Sequence, residues 1–178
     1  MQPPLGRHRM SVARATLRNV EVTENDIKRI PVRNLRVPLD EFVAVWAAVE
    51  QLADDQARKR VVDWYTGGVL VTCEWMARAI VRPMSGPPRP ARSPVSRQTA
   101  AAYEELIEAE YLAAELLDVR RPDLFTSRPG WCEGIRATLR WAWRRIGSPP
   151  IPVPPCAAGL GAVRTAGGGH VTGTELAS

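Results

Sequence analysis

Apolar side chains recur at helical spacing in four stretches of this 178-residue chain, and this pattern predicts four helices. Predicted helix A begins at Pro38 and has two acidic residues in its first turn, where the helix dipole favours negative charge. Predicted helix B covers residues 56–82. The glycines Gly67 and Gly68 weaken its middle, because each costs about 1 kcal/mol relative to alanine in a helix. Helix A presents one apolar face, made of Phe42, Val45, Trp46, Val49 and Leu52.

Predicted helix C covers residues 97–118 and is rich in alanine, glutamate and leucine. Predicted helix D begins after Ser127, a suitable N-cap, and ends at Gly147, because glycine commonly terminates a helix. Together the four helices predict an all-α fold, a compact helical bundle in residues 38–147.

Proline- and glycine-rich segments separate the helices from one another and from the chain ends. Residues 83–96 are expected to form a flexible linker, and residues 148–178 a disordered tail with few large apolar side chains. Residues 1–37 are expected to be a basic arm, partly ordered at most. Within it Thr23 and Asp26 resemble a helix cap, which allows a short helix through Ile30, whereas the stretch before the cap could equally be extended.

Two of the predicted helices share a sequence pattern at an offset of 66 residues. Six of the sixteen positions from 68 to 83 are identical to those from 134 to 149. We therefore expect two pseudo-repeated hairpins, 38–82 and 97–147, related by an approximate two-fold axis. The alternative is that any two core helices with glycine and tryptophan look alike. The repeat core consists of Gly68, Thr72, Trp75, Gly134, Thr138 and Trp141.

Charge is distributed unevenly along the chain, whose net charge is +5. Residues 98–118 contain six acidic side chains and no basic one, whereas the next 29 residues contain seven basic and two acidic ones. Arg136, Arg140 and Arg144 form a stripe at steps of four, which suits phosphate binding. The interpretation that we favour is internal pairing with the acidic helix C, through Glu104, Glu105, Glu108 and Glu115. The better phosphate candidates are then Arg7, Arg9, Arg14 and Arg18 of the arm.

Candidate catalytic chemistry is sparse. The two histidines, His8 and His170, fall in the expected disordered ends, so no histidine-based catalytic or metal site is expected. Cys132 lies in the first turn of helix D, where the dipole lowers a thiol pKa, but no base accompanies it. Asp63 and Glu74 are too far apart along a helix to serve one reacting centre. We expect no cofactor, no metal and no catalysis.

These features allow a general prediction of cellular location and function. No apolar window is long enough to span a membrane, and three cysteines without a signal peptide favour the cytoplasm. We expect a non-enzymatic helical binding or assembly protein, with an unknown protein partner or self-association. The alternative is a nucleic-acid-associated protein that uses the arm and the basic face of helix D. An unrecognised enzyme is the third hypothesis.

Overall fold

The computed structural model describes residues 22–82 and 86–153, and most of them are helical. In chain order the longer helices are α2 (Leu39–Arg58), α3 (Trp64–Met76), α4 (Glu104–Glu115) and α7 (Trp131–Arg144). The shorter elements are α1 (Glu24–Arg29), a 3-10 turn (Val32–Asn34), β1 (Ile80–Val81), β2 (Arg89–Pro90), α5 (Leu117–Arg120) and α6 (Pro122–Ser127).

The core is organised around the pair α3 and α7, which share the most extensive contact among the described elements. Helix α2 packs on α3, and α4 packs on α7. Helix α3 is apolar almost all round, which suits a central helix, whereas α7 is amphipathic. The largest fully buried side chains include Trp46, Trp75, Phe42, Met76, Ile107, Ile135 and Leu139.

The described part of the N-terminal arm belongs to this core. The predicted cap is confirmed: Thr23 and Asp26 form a capping box, and α1 follows it. Asn34 is fully buried, and its amide nitrogen donates to the carbonyl oxygens of Met76 at 3.3 Å and Ala102 at 3.1 Å. Ile30, Leu35 and Val37 are also buried, so the core begins before Pro38.

The boundaries of predicted helix B are wrong. Helix α2 continues to Arg58, and the chain then turns through Arg60, whose φ of 56° lies in the left-handed region. Helix α3 begins only after Asp63, whose carboxylate accepts the Tyr65 amide at 3.0 Å. It ends at Met76, and Arg78 again has a positive φ, of 55°. Predicted helix B therefore combines the end of α2, the turn at residues 59–63, all of α3 and the turn after it.

The predicted helices C and D begin too early. Residues 97–103 precede α4 without being helical, and Arg97 has a φ of 62°. Two short helices, α5 and α6, occupy the segment before α7. Gly130, at a φ of 89°, turns the chain into α7 and excludes a helix that starts after Ser127.

The described residues of the linker and tail are not free connections. β1 and β2 pair antiparallel, with Ile80 opposite Pro90, which adds a two-stranded sheet to the expected all-α fold. The buried Glu110 carboxylate accepts the amides of Val95 and Ser96, which fixes the end of the linker on α4. In the tail, Ile151 is buried and the Pro150 carbonyl accepts the Tyr65 hydroxyl at 2.8 Å.

Candidate functional site

The predicted basic stripe lies on α7 and faces carboxylates. Arg140 donates to Glu115 with an Nε–Oε1 distance of 2.7 Å, and this hydrogen bond raises the pKa of Arg140. Arg144 donates to Glu108. The nearest atoms of Arg136 and Asp118 are 3.7 Å apart. The internal-pairing interpretation is therefore confirmed for Arg140 and Arg144. Arg136 lies near Asp118, but its buried Nε and Nη2 atoms have no hydrogen-bond partner among the described residues.

A second layer of contacts closes the same face. The Trp143 indole donates to the other oxygen of Glu108 at 2.7 Å. Arg36 lies 4.3 Å above the Trp143 ring and pairs with Glu104 at 3.0 Å. Glu104 thus binds Arg36 rather than the stripe, and Glu105 is exposed. The arginines of α7 thus face carboxylates of α4 and α5, while Arg36 covers Trp143 of the same helix.

The predicted repeat core lies where α3 crosses α7. A methyl group on Gly68 would collide with the Trp131 carbonyl oxygen, and one on Gly134 would collide with the Tyr65 carbonyl oxygen. Only glycine allows backbones to approach this closely. The Thr72 hydroxyl donates to the Gly68 carbonyl, and the Thr138 hydroxyl donates to the Gly134 carbonyl, both at 2.8 Å. The two glycines therefore allow the close approach of α3 and α7, while each threonine bonds within its own helix.

The two repeat tryptophans are buried in different surroundings. Trp75 is 1% exposed and Trp141 is 3% exposed. The Trp75 indole donates to the Ala100 carbonyl at 3.2 Å, whereas the Trp141 ring stacks on Phe42 with centroids 6.2 Å apart. Both are core side chains.

An arginine-rich cavity is lined by none of the residues of the predicted stripe or repeat core. Its volume is about 530 Å³, and it opens between the linker end, the junction of α4, α5 and α6, and the start of α7. Four arginines from three segments line it, which we call the arginine cluster: Arg97, Arg120, Arg121 and Arg128. The remaining lining residues are Pro94, Val95, Ala113, Leu117, Leu124 and Trp131.

The electrostatics of this cavity differ from those of the α7 stripe. No acidic side chain is among its described lining residues. Partial burial, and then the positive charges of Arg92 and Arg128, lower the pKa of Arg97. Arg121 is the cluster member with a carboxylate partner, Asp123, at 2.9 and 3.0 Å. The cavity therefore concentrates positive charge at the protein surface.

Aromatic rings form one wall beside the cluster. The Arg128 guanidinium lies 5.2 Å from the Trp64 ring centroid and 5.6 Å from that of Trp131. The two indoles meet edge to face, 6.2 Å apart. Behind them Gly67 allows close contact, since a methyl group there would lie 3.1 Å from the Trp131 ring. The Trp131 ring is therefore fixed in its position by packing.

The arginine cluster is not apparent from the sequence. Arg120, Arg121 and Arg128 contribute to the positive charge that follows helix C, but the helical period highlights only the α7 stripe. Arg97 is more than twenty residues away and approaches them only after the chain folds. The one feature of the sequence that points to the cluster is that several arginines near helix D lie outside the stripe.

The remaining candidate groups are structural or lie apart from the cavity. Burial, and then Glu133, raise the pKa of Cys132, so the predicted lowering by the helix start is wrong. Cys73 is fully buried, as expected for a core residue. Asp63 caps α3, while Glu74 is buried beside Glu50. Burial, and then the charge of Glu74, raise the pKa of Glu50 to about 8.

Several predicted residues lie outside the described part of the chain: Arg7, Arg9, Arg14, Arg18, His8 and His170. The described residues contain no group of three or more His, Cys, Asp or Glu side chains placed to bind a metal ion. None of the helices in residues 22–82 and 86–153 is both long and apolar enough to cross a lipid bilayer. Comparisons with family models, with curated proteins and with solved structures find no match for the chain.

Proposed function

We propose that the protein is a non-enzymatic binding protein that takes an anionic group into the arginine-lined cavity. The observation that carries this proposal is the arginine cluster in a cavity without an acidic side chain among its described lining residues. Guanidinium groups bind phosphate and carboxylate oxygens through paired, charge-assisted hydrogen bonds.

Electrostatic repulsion between the arginines also supports anion binding. The pKa of Arg97 is lowered by partial burial and by Arg92, Arg128 and Arg89, with Glu110 as the opposing charge. The Glu110 carboxylate already accepts backbone amides at the linker end. An anion in the cavity would reduce the repulsion that Arg92, Arg128 and Arg89 exert on Arg97.

Calorimetric titration with inorganic pyrophosphate tests the proposal. The variant Arg97→Gln with Arg120→Gln should bind pyrophosphate at least about tenfold more weakly, because each lost charge-assisted contact contributes about 1.5–3 kcal/mol before screening. The matched control is Arg33→Gln with Lys59→Gln, which removes two positive charges from exposed positions elsewhere. Equal losses in the two double variants would show that only net charge matters, and the proposal would fail.

A nucleic-acid-associated function is the second candidate. It combines the arm arginines, Arg7, Arg9, Arg14 and Arg18, with the arginine cluster, and it no longer relies on the paired α7 stripe. Four arm arginines would give a slope of at most about four in a plot of log affinity against log salt. Deleting residues 1–21 should remove that slope, while Arg136→Gln with Arg140→Gln should lower stability more than DNA affinity.

The finer architecture is also a proposal. We propose that α2–α3 and α4–α7 are pseudo-repeated hairpins, and the reciprocal contacts of Gly68 and Gly134 support this. A protein partner or self-association stays a prediction from the sequence. So does a cytoplasmic location, with which the free, buried thiols of Cys73 and Cys132 are compatible.

A further inference from the structure

The lining of the cavity has two chemically different parts. One part is the arginine cluster, and the other is an apolar wall made of Val95, Ala113, Leu117, Leu124 and Trp131. A bare inorganic anion would satisfy the arginines and leave the wall in water. A ligand that carries both an anionic group and an apolar body would cover both parts.

The size of the cavity agrees with a whole organic ligand. At about 530 Å³ it falls within the range of cavities that hold small molecules and cofactors, roughly 300–1,000 Å³. The four arginines come from the linker end, the α5–α6 junction and the segment before α7. The arginines therefore surround one cavity. A groove that binds a long nucleic-acid strand would instead have its positive charges along an extended line.

Trp131 gives the apolar wall a flat aromatic element. Its ring is fixed by Trp64 and by close contact with the backbone at Gly67, and the Arg128 guanidinium lies over it, 5.6 Å from the ring centroid. Nucleobases stack on indole rings and on guanidinium planes because every base has an aromatic face. A base against Trp131 would place its attached phosphate within the same cavity as the arginine cluster.

We infer that the ligand is a mononucleotide, with its phosphate held by the arginine cluster and its base against Trp131. This inference rests on the proposed function, since it names the class of anion that the cavity takes. It involves binding alone, and no bond in the nucleotide is made or broken.

Two small phosphates test the base directly in calorimetric titrations of the full chain. AMP and ribose 5-phosphate share the sugar and the phosphate, and they differ in the base. We expect AMP to bind at least tenfold more tightly, equivalent to about 1.4 kcal/mol. Equal affinities would overturn the nucleotide inference while leaving anion binding intact. If neither pyrophosphate nor ribose 5-phosphate binds, the proposed function fails as well.

A pair of tryptophan variants locates the base. Trp131→Leu should reduce the affinity ratio of AMP to ribose 5-phosphate to near one. Trp64→Leu is the matched control, because Trp64 belongs to the same aromatic contact but does not line the cavity. This control should keep most of the ratio, and equal losses in both variants would overturn the placement. Should Trp131→Leu fail to fold, the comparison of the two ligands on the unaltered chain still decides the inference.

A single-stranded oligonucleotide separates a mononucleotide from a nucleic acid. An oligothymidine of twelve nucleotides should bind no more tightly per nucleotide than the mononucleotide TMP. Binding that is tenfold tighter, with a steep dependence on salt, would favour a strand and overturn the inference.

Discussion

Helices α3 and α7 are alike where they touch and different on the faces that they turn away from each other. At the crossing each contributes a glycine that admits the other backbone and a threonine bound to its own helix. Beyond the crossing α3 is buried on nearly every side, and Glu74 lies near Glu50 of α2. Helix α7 instead turns its arginines towards the carboxylates of α4 and α5.

The difference shows that one packing motif can serve two electrostatic environments. The spacing of glycine, threonine and tryptophan governs backbone approach and burial. The neighbours of each helix decide whether its charged residues meet opposite or like charge. Substitutions at the shared glycine, threonine and tryptophan positions should therefore change stability by similar amounts in the two helices. Substitutions on the outer faces should change stability by different amounts and in different directions.

The largest effect is expected for the two repeat tryptophans. Trp75→Ala and Trp141→Ala should each lower the free energy of unfolding by about 3–5 kcal/mol, the usual cost of deleting a large buried aromatic side chain. Urea denaturation of the two variants measures this. Trp64→Ala, at a half-buried position, should cost less. A cost below about 1 kcal/mol for either repeat tryptophan would break its equivalence with the other.

The glycine crossing gives the next largest effect. Gly68→Ala and Gly134→Ala should each destabilise the fold by about 1–3 kcal/mol or more, because the added methyl group meets a backbone carbonyl that cannot move freely. Gly67→Ala is the internal control and should cost less, because its methyl group would meet the Trp131 ring at 3.1 Å and not a backbone carbonyl oxygen. Unequal costs for Gly68 and Gly134 in thermal or urea unfolding would show that the two sides of the crossing differ.

The sequence predicted the parts of the fold that depend on local period. The short helix after Thr23, the amphipathic α2 and the burial of both repeat tryptophans follow from spacing and capping. The break at residues 59–63 did not, because arginine gives no local signal for the left-handed conformation of Arg60. Asp63 is a common N-cap residue type and was the one local sign that a new helix starts there.

The candidate site was less predictable than the fold. The stripe on α7 has a helical period, and its carboxylate partners could be inferred from the acidic helix before it. The arginine cluster joins Arg97 to Arg120, Arg121 and Arg128 across three segments. Long-range packing creates this arrangement, so neither period nor motif spacing encodes it.

The buried carboxyl of Glu50 should make stability depend on pH. Its pKa in the folded protein is about 8, raised mainly by burial and then by Glu74, with Asp54 and Asp26 adding to the effect and the Trp46 indole opposing it. The unfolded chain ionises this group near pH 4.5, so the folded state binds more protons between pH 4.5 and 8. Stability should therefore fall as the pH rises through this window.

The variant Glu50→Gln isolates this contribution. At pH 8 it should raise the free energy of unfolding by on the order of 2 kcal/mol, and near pH 4.5 it should have little effect. Glu41→Gln removes an exposed carboxylate from the same helix and serves as the control. Urea denaturation from pH 4.5 to 8.5 provides the measurement. A difference between Glu50→Gln and the unaltered chain that does not grow with pH would contradict the shifted pKa.

The smallest effect is the most specific, because it predicts opposite signs for two arginines. Arg140→Gln removes a partly exposed ion pair with Glu115 and should lower stability by about 0.2–1 kcal/mol. Arg97→Gln removes a charge from among like charges and should raise stability by about a few tenths of a kcal/mol. Salt at 1 M should shrink both differences, since both are electrostatic.

Adding pyrophosphate should then stabilise the Arg140→Gln variant as strongly as the unaltered chain, but the Arg97→Gln variant less. If Arg97→Gln destabilises the fold at low salt, the guanidinium is held by neighbours as those of α7 are, and the contrast between the stripe and the arginine cluster disappears.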